Sequence, residues 1–218
     1  MSKTIVTLLG DATHDHDILL KNLGGIISGK LSAFVITDTQ PENLEALLAK
    51  KPALLVLSKM NPHAAADGSK ADWMTSARED AIVAYVEAGG SLFVWHSALA
   101  TYPPEGKYIQ MLGGRFFHRP PEFLKVTYTP VAGTPMTADF PAFDALDEHY
   151  QTVCDPAKAT IFLNSSSAEG EAPAGWYRTF GKGKICCLAA PHPSATAKII
   201  ELEKILLLCL NWCTGNGK

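Results

Sequence analysis

Short, nearly continuous apolar runs recur through the first half of the chain, and they constrain its fold more than any other feature. Four of these runs cover residues 4–9, 31–37, 53–58 and 91–95. Strands that helices cover on both faces have this composition, whereas strands with one face in water alternate apolar and polar residues. Helical patterns lie between the runs. The sequence therefore predicts strand–helix–strand units and an α/β fold with a mostly parallel central sheet.

Three helices carry start or stop signals in the sequence. Pro41 opens the first, and the serine and glutamate of Ser76–Glu79 form a capping-box pattern before the second. Gly89–Gly90 can end that second helix in a left-handed conformation. Ser194 is predicted to cap a final helix. The apolar stripe of this last helix consists of Ile199, Leu202, Ile205, Cys209 and Trp212.

The second half of the chain has a different composition. Many prolines and paired glycines in residues 100–150 predict an elaborated loop region with one strand, Leu124–Thr129. Three further β-like runs follow in residues 160–189. The last two are joined by Gly181-Lys182-Gly183, which predicts a C-terminal β-hairpin extension. Because the chain has 218 residues and neither a linker nor a repeat, we expect a single domain over residues 1–218.

Charge and cysteine content exclude several functional classes. The 19 Lys and Arg residues face 22 Asp and Glu residues without a basic cluster, so nucleic acid is not an expected partner. The five cysteines form no Cys-x-x-Cys pair, which disfavours a zinc site made of cysteine. No segment approaches the roughly 20 apolar residues of a membrane-spanning helix, and residues 1–17 resemble a first strand rather than a signal peptide. We therefore expect a cytoplasmic protein that does not contact membranes.

Five of the seven histidines follow predicted strands, at the edge of the sheet where α/β proteins bind ligands. They are His14, His16, His63, His96 and His192. A single histidine at a strand end is commonly a loop residue bonded to the backbone, and for His63 we keep that interpretation. The group as a whole is harder to explain in this way, because imidazoles are suited to proton transfer and metal binding near neutral pH.

A series of short segments lies in a characteristic order along the chain: Tyr85–Gly90 before Leu92–His96, Leu112–Phe116 with His118, Asp147–Glu148, Trp176 with Phe180–Lys184, and Pro191–His192. Together these segments resemble the ThuA-like (trehalose utilisation) family, which is related to the class I glutamine amidotransferases. The resemblance covers nearly the whole chain. It implies a flavodoxin-like three-layer sandwich.

The resemblance also places His96 where the amidotransferases have a nucleophilic cysteine in a Gly-x-Cys-x-Gly elbow. This chain has Val94-Trp95-His96-Ser97-Ala98 there, so a thioester with glutamine cannot form and we expect no glutaminase activity. ThuA-like proteins typically have Gly-Leu-His-Gly at this point, from which Trp95 and Ser97 depart. Pro191–Ser194 resembles the His-Pro-Glu segment of the amidotransferases, with serine in place of the glutamate.

The function implied by the resemblance is an enzyme of carbohydrate metabolism, acting on trehalose, a related disaccharide or a sugar derivative. His96 and His192 are then acid–base groups or ligands of a divalent metal, and Glu148 is the auxiliary carboxylate. If a metal binds, imidazoles with one carboxylate suit zinc, manganese or iron better than calcium, which prefers oxygen ligands. The reaction is left open between hydrolysis and metal-assisted sugar processing.

Four further side chains are expected at the same pocket as substrate-binding residues: His14, His118, Trp95 and Ser97. The Gly113–Gly114 turn gives the chain the freedom to bring His118 back over the rim. The aromatic residues Trp95, Tyr102 and Phe117 are candidates for stacking on sugar faces, although core packing is the commoner role of such residues.

Two other functions stay open on the sequence. A non-catalytic module could keep the fold and bind a ligand after losing the nucleophile. Hydrolysis by Ser97 and His192 is the third hypothesis, and it ranks last because no acidic residue is placed in sequence to orient His192. The expected partner is a small molecule, a sugar under the first hypothesis. The number of subunits is left open, a homo-oligomer included.

Overall fold

The computed structural model describes residues 3–64, 70–136, 141–190, 192 and 200–216, which form thirteen strands and five α-helices. The strands are β1 (Lys3–Leu9), β2 (Phe34–Asp38), β3 (Leu54–Ser58), β4 (Pro62–Ala64), β5 (Lys70–Asp72), β6 (Ser91–Trp95), β7 (Gly114–His118), β8 (Leu124–Pro130), β9 (Phe143–Asp147), β10 (Gln151–Cys154), β11 (Thr160–Ser167), β12 (Gly170–Phe180) and β13 (Gly183–Leu188). The helices are α1 (His16–Lys30), α2 (Leu44–Leu48), α3 (Ser76–Glu87), α4 (Lys107–Leu112) and α5 (Ile200–Thr214). Short 3₁₀ turns cover Pro41–Asn43 and His96–Leu99.

Nine of the strands form one central sheet in the order β2-β1-β3-β6-β13-β12-β11-β8-β9. The first five strands in this order are parallel to one another, as the apolar runs predict for β1, β2, β3 and β6. Every pairing from β13 to β9 is antiparallel. The sheet is therefore mixed, and the prediction of a mostly parallel sheet is wrong. Connections of two residues join β11 to β12 and β12 to β13, and such short connections permit only antiparallel pairing of these strands.

Helices cover the sheet on both faces, and the strands β1, β3, β6 and β13 supply side chains to both cores. On β1, Ile5 and Leu9 pack in one apolar cluster while Val6 and Leu8 pack in the other. The first cluster contains the buried faces of α1 and α5, and the second contains those of α2 and α3 together with α4. Because successive side chains of a strand point to opposite faces, strands buried on both sides are apolar throughout.

The helix signals differ from the prediction at several ends. The cap of α3 is Thr75, whose side chain accepts a hydrogen bond from the Arg78 main chain, and not Ser76. The sequence signals missed α1, which Asp15 caps by accepting from the Ile18 main chain at 2.9 Å. Ser194 and Ile199 lie outside the described residues. None of the helices in the described ranges is long and apolar enough to cross a bilayer.

Candidate metal centre

Four side chains from distant parts of the chain converge at one end of the sheet. They are His14, which follows β1, His96, which follows β6, Glu148, which follows β9, and His192, which follows β13. One potential ligand atom from each lies within 4.8 Å of the others. Three of the four residues are buried and His192 is half-buried, so the cluster is largely shielded from solvent.

His96 lies in the turn that ends β6 and has an unusual backbone conformation. Its φ of 47° is in the left-handed region, where a residue with a Cβ costs about 1–2 kcal/mol. Its Nδ1 donates to the carbonyl oxygen of Ala189 at 2.6 Å, because a carbonyl only accepts. In the neutral ring this bond leaves the lone pair on Nε2, which faces the cluster. The Tyr150 ring stacks on the imidazole at a centroid distance of 4.1 Å and fixes its plane.

Glu148 faces His96 and Arg119 through a single oxygen. Its Oε2 lies 3.4 Å from His96 Nε2 and 3.3 Å from Arg119 Nε. Burial alone would raise the pKa of Glu148, but the contact with His96 and the charges of His96, Arg119 and His192 outweigh it and lower that pKa. A lone pair on Nε2 and a carboxylate oxygen repel each other at this distance. The pair therefore requires a proton or a metal cation on the imidazole nitrogen.

His14 is held by a buried carboxylate. Its Nδ1 bonds Asp11 Oδ1 at 2.7 Å, and the two side chains are 3% and 1% exposed. Burial alone would raise the pKa of Asp11, but bonds from His14 and from the main chain of Met60 and Thr13 outweigh it and lower that pKa. The buried Nε2 of His14 has no hydrogen-bond partner among the described residues. A carboxylate on one ring nitrogen and a free second nitrogen form the arrangement found at metal-binding histidines.

His192 completes the cluster beside the other two imidazoles. Its ring centroid lies 5.0 Å from that of His14 and 5.4 Å from that of His96. Burial lowers the pKa of His192 to about 4, helped by the charges of His96 and His14. The ring of Phe123, which is 42% exposed, meets it edge-on at 5.4 Å. His192 is therefore neutral at pH 7, and the neutral imidazole is the form that binds metals.

The donor set fits a divalent transition metal. Three imidazole nitrogens and one carboxylate oxygen suit zinc, manganese or iron, whereas calcium and magnesium prefer sites made of oxygen. The buried Nε2 atoms of both His14 and His96 lack hydrogen-bond partners within the described part of the chain. Buried polar atoms are normally bonded, so two such nitrogens aimed at one point indicate a ligand there.

Comparison with known proteins identifies the family. The family model described as ThuA, trehalose utilisation, matches residues 12–213. The chain belongs to the ThuA family. Comparison with curated protein sequences gave no match.

Solved structures agree with the ThuA assignment at the level of fold. A ThuA-like protein from Bacteroides uniformis is 19% identical, with a TM-score of 0.74 over 100% of this chain and 93% of its own. A ThuA-like protein from Parabacteroides merdae is 14% identical, with a TM-score of 0.69 over 99% and 91%. The cold-adapted β-galactosidase from Rahnella sp. R3 is 12% identical, with a TM-score of 0.66, and the match covers 97% of this chain but 31% of the enzyme.

In this ThuA protein the histidines of the predicted rim have different positions. His14, His96 and His192 come together with Glu148, whereas His118 is exposed at the end of β7 and is not one of the four. β7 pairs with β10, and this ladder places His118 opposite Gln151. His16 is also outside the four and bonds Asp17 and Asp38 at the surface. The side chain of His63 lies outside the described residues.

Trp95 and Ser97 are completely buried, so the structure does not place either at an exposed binding surface. Trp95 lies on β6 in the core and stacks parallel to Phe93. The hydroxyl of Ser97 lies 3.5 Å from that of Ser58, which does not favour the Ser97–His192 hydrolase. Of the other aromatic candidates, Tyr102 is buried and Phe117 is 53% exposed.

The sequence interpretation missed residues that support the site or lie at its edge: Asp11, Arg119, Phe123, Asp147 and Tyr150. Asp11 follows Gly10 directly after β1, so the position rule that selected the histidines also applies to it. Asp147 is next to Glu148 in the segment that carries the family resemblance, but the sequence indicates a role only for Glu148. Arg119, Phe123 and Tyr150 lie in the loop-rich segment, where no local pattern marks them.

Proposed function

We propose that this ThuA family member is a metal-dependent enzyme acting on a carbohydrate, with trehalose, a related disaccharide or a sugar derivative as substrate. Family membership supports a role in carbohydrate metabolism. The main observation for a bound metal is the pair of buried Nε2 atoms on His14 and His96, which have no hydrogen-bond partner among the described residues and belong to the cluster with Glu148 and His192. The likeness to a β-galactosidase, itself a carbohydrate enzyme, agrees with this assignment.

The main competing interpretation is that His96 and His192 act as acid–base groups without metal. A proton on His96 would satisfy the contact between its Nε2 and Glu148 Oε2. It would leave the buried Nε2 of His14 without a partner among the described residues. One cation between the four groups accounts for both nitrogens, which favours the metal.

The chemistry divides between the metal and the protein. A bound zinc, manganese or iron ion would act as a Lewis acid on a sugar oxygen. Asp11 and the Ala189 carbonyl hold the rings of His14 and His96 with Nε2 facing inward. Arg119 contacts Glu148 and stabilises its ionised form. Phe123, beside His192 and partly exposed, offers an apolar surface to the hydrogens on a sugar face.

The proposal also includes the architecture of the sheet and the cellular location of the protein. The strands β2, β1, β3, β6 and β13, with helices on both faces, constitute a flavodoxin-like three-layer unit that the β12–β13 hairpin extends. The protein acts in the cytoplasm on a small-molecule sugar, with no nucleic-acid or membrane partner.

Metal content and affinity test the proposal. The purified protein is analysed by plasma mass spectrometry, stripped with chelator and titrated calorimetrically with Zn²⁺, Mn²⁺ and Co²⁺. We expect one ion per chain, and alanine at His14, His96, His192 or Glu148 should weaken binding by at least about tenfold. His118→Ala is the matched control, because it removes an exposed histidine outside the four, and it should bind like the wild type.

Sugar binding and turnover form the second arm. Trehalose should raise the melting temperature of the metal-loaded protein more than that of the stripped protein, and chromatography with mass spectrometry should detect a converted sugar. If the wild-type protein binds none of Zn²⁺, Mn²⁺ and Co²⁺, the proposed metal site is refuted. If trehalose binds equally well to the metal-loaded and the metal-stripped protein and is not converted, the result would favour the non-catalytic ligand-binding module.

A further inference from the structure

Asp147 is a completely buried carboxylate whose two oxygens accept three hydrogen bonds from described residues. Its Oδ1 accepts from the main-chain N–H of Glu148 at 2.8 Å and from that of His192 at 2.9 Å. Its Oδ2 accepts from the Tyr128 hydroxyl at 2.7 Å. Burial raises the pKa of Asp147, while the charge on His96 and these three hydrogen bonds oppose the rise.

The two main-chain groups that share Oδ1 belong to two of the four predicted ligands. Asp147 and His192 are 45 positions apart in the sequence, and Asp147 ends β9 while His192 follows β13. These strands are not neighbours, since β12, β11 and β8 lie between them in the sheet. No strand pairing therefore joins the end of β9 to the His192 segment. The shared oxygen atom supplies a direct link between them.

Tyr128 fixes the carboxylate itself. It lies on β8, which pairs directly with β9, and its side chain is 2% exposed. A hydroxyl bond to Oδ2 orients the carboxylate plane so that Oδ1 faces both main-chain groups. Asp147 is not among the four converging groups, and its observed partners are two main-chain N–H groups and one hydroxyl.

We propose that Asp147 is a positioning residue that sets the separation of Glu148 and His192 by accepting their main-chain hydrogen bonds. The inference rests on the proposed metal-binding function. Its action depends on accepting hydrogen bonds and not on negative charge. An amide oxygen can accept the same two bonds, and the amide NH₂ can donate to the Tyr128 oxygen.

This distinction separates two substitutions at one position. Asp147→Asn keeps an acceptor for both main-chain groups and loses the charge, whereas Asp147→Ala loses both. Asp144→Ala is the matched control, because Asp144 lies on the same strand and its partners are the exposed Thr127 and Lys125 side-chain groups. Tyr128→Phe removes only the bond to Oδ2.

Amide hydrogen exchange and cobalt binding are the two measurements. In Asp147→Ala we expect faster exchange at the Glu148 and His192 amides, a changed visible spectrum of bound Co²⁺, and affinity for Co²⁺ lower by about 10–100-fold. Asp147→Asn should restore slow exchange and most of the affinity, and Asp144→Ala should match the wild type. A purely structural role would lower the melting temperature without changing the cobalt spectrum.

Several results would overturn the inference. One is wild-type exchange and cobalt affinity in a folded Asp147→Ala variant. Another is an Asp147→Asn variant whose amide exchange and cobalt affinity are as strongly changed as those of Asp147→Ala. The negative charge of Asp147, and not its capacity to accept hydrogen bonds, would then be what positions the ligands. If Asp147→Ala does not fold, Asp147→Asn and Tyr128→Phe test the inference instead. We expect Asp147→Asn to retain the affinity for Co²⁺ and Tyr128→Phe to lose part of it. Wild-type protein that binds none of Zn²⁺, Mn²⁺ and Co²⁺ refutes the proposed metal site. The amide exchange of Asp147→Ala and Asp147→Asn then still tests whether Asp147 links the Glu148 and His192 main chains.

Discussion

Replacing Asp11 by alanine should be among the most damaging single changes near the site. The Asp11 carboxylate accepts from His14 Nδ1 at 2.7 Å, from the Met60 main chain at 3.0 Å and from the Thr13 main chain at 3.0 Å. The first two bonds are shielded, because the side chains of Asp11 and His14 are 1% and 3% exposed. Alanine would remove the acceptor of the Met60 N–H and leave His14 Nδ1 with only the Thr13 hydroxyl, 3.0 Å away.

The expected cost follows from this burial. Truncating one partner of a buried, charge-assisted contact costs about 3–5 kcal/mol, since each buried donor left unpaired costs about 1–3 kcal/mol. A typical domain has a free energy of unfolding of about 5–15 kcal/mol, so the variant should still fold but with a much smaller margin. In addition, the His14 ring loses the carboxylate that orients it, which should weaken metal binding by about 10–100-fold.

Urea denaturation followed by circular dichroism, with chelator present to exclude metal effects, measures this cost. Asp15→Ala is the matched control, because Asp15 lies in the same loop and caps α1 through one exposed bond to the Ile18 main chain. Loss of this cap should cost about 1 kcal/mol. If Asp11→Ala loses no more stability than Asp15→Ala with an unchanged denaturant slope, the reasoning from burial is refuted.

Three further predictions concern other parts of the chain. Burial, with a smaller contribution from Asp155, raises the pKa of Cys154 to about 11. Because the thiolate is the reactive form, alkylation of Cys154 should be slow at pH 7 and become faster as the pH rises towards 11. Mass spectrometry measures the alkylated fraction, and rapid alkylation at pH 7 would contradict the prediction. Purified protein should release no ammonia from glutamine, because His96 replaces the nucleophile; release abolished by cysteine alkylation would contradict it. Gly175→Ala should cost about 1–3 kcal/mol in chemical denaturation, since the new Cβ would lie 2.5 Å from the buried Phe162 ring, and an unchanged midpoint would count against tight packing there.

The parallel half of the sheet could be predicted because a strand that is buried on both faces has a mostly apolar sequence of its own. β3 and β6 are apolar at all but one position and β1 at Ile5, Val6, Leu8 and Leu9, and the bounds of the three strands differ from the predicted runs by at most one residue. β9 and β10 have mixed composition and lie in the proline-rich and glycine-rich segment, so only their pairing partners define them.

Strand direction is a different kind of information. β13 pairs parallel with β6 on one side and antiparallel with β12 on the other. The same apolar strand makes both pairings, so its composition does not indicate the direction of its neighbours. Direction depends on the length and path of the connections. The two-residue turn before β13 was recognised as a hairpin, but the sequence did not predict that three more antiparallel strands would continue from it.

Position at the strand ends predicts the edge of the sheet where the site lies, but it does not separate the individual histidines, and no sequence signal supports the choice of His14 over His16. Both follow β1, and both contact aspartates, so neither position nor neighbouring charge separates them. What separates them is burial, since the side chain of His14 is 3% exposed and that of His16 is 34% exposed. The burial arises where the Lys59 ammonium donates to the Gly10 carbonyl and the Met60 main chain donates to Asp11, which closes the segment after β3 onto the loop after β1. These contacts span 49 positions, and no local pattern specifies them. A rim histidine therefore becomes a candidate ligand through long-range closure of its loop.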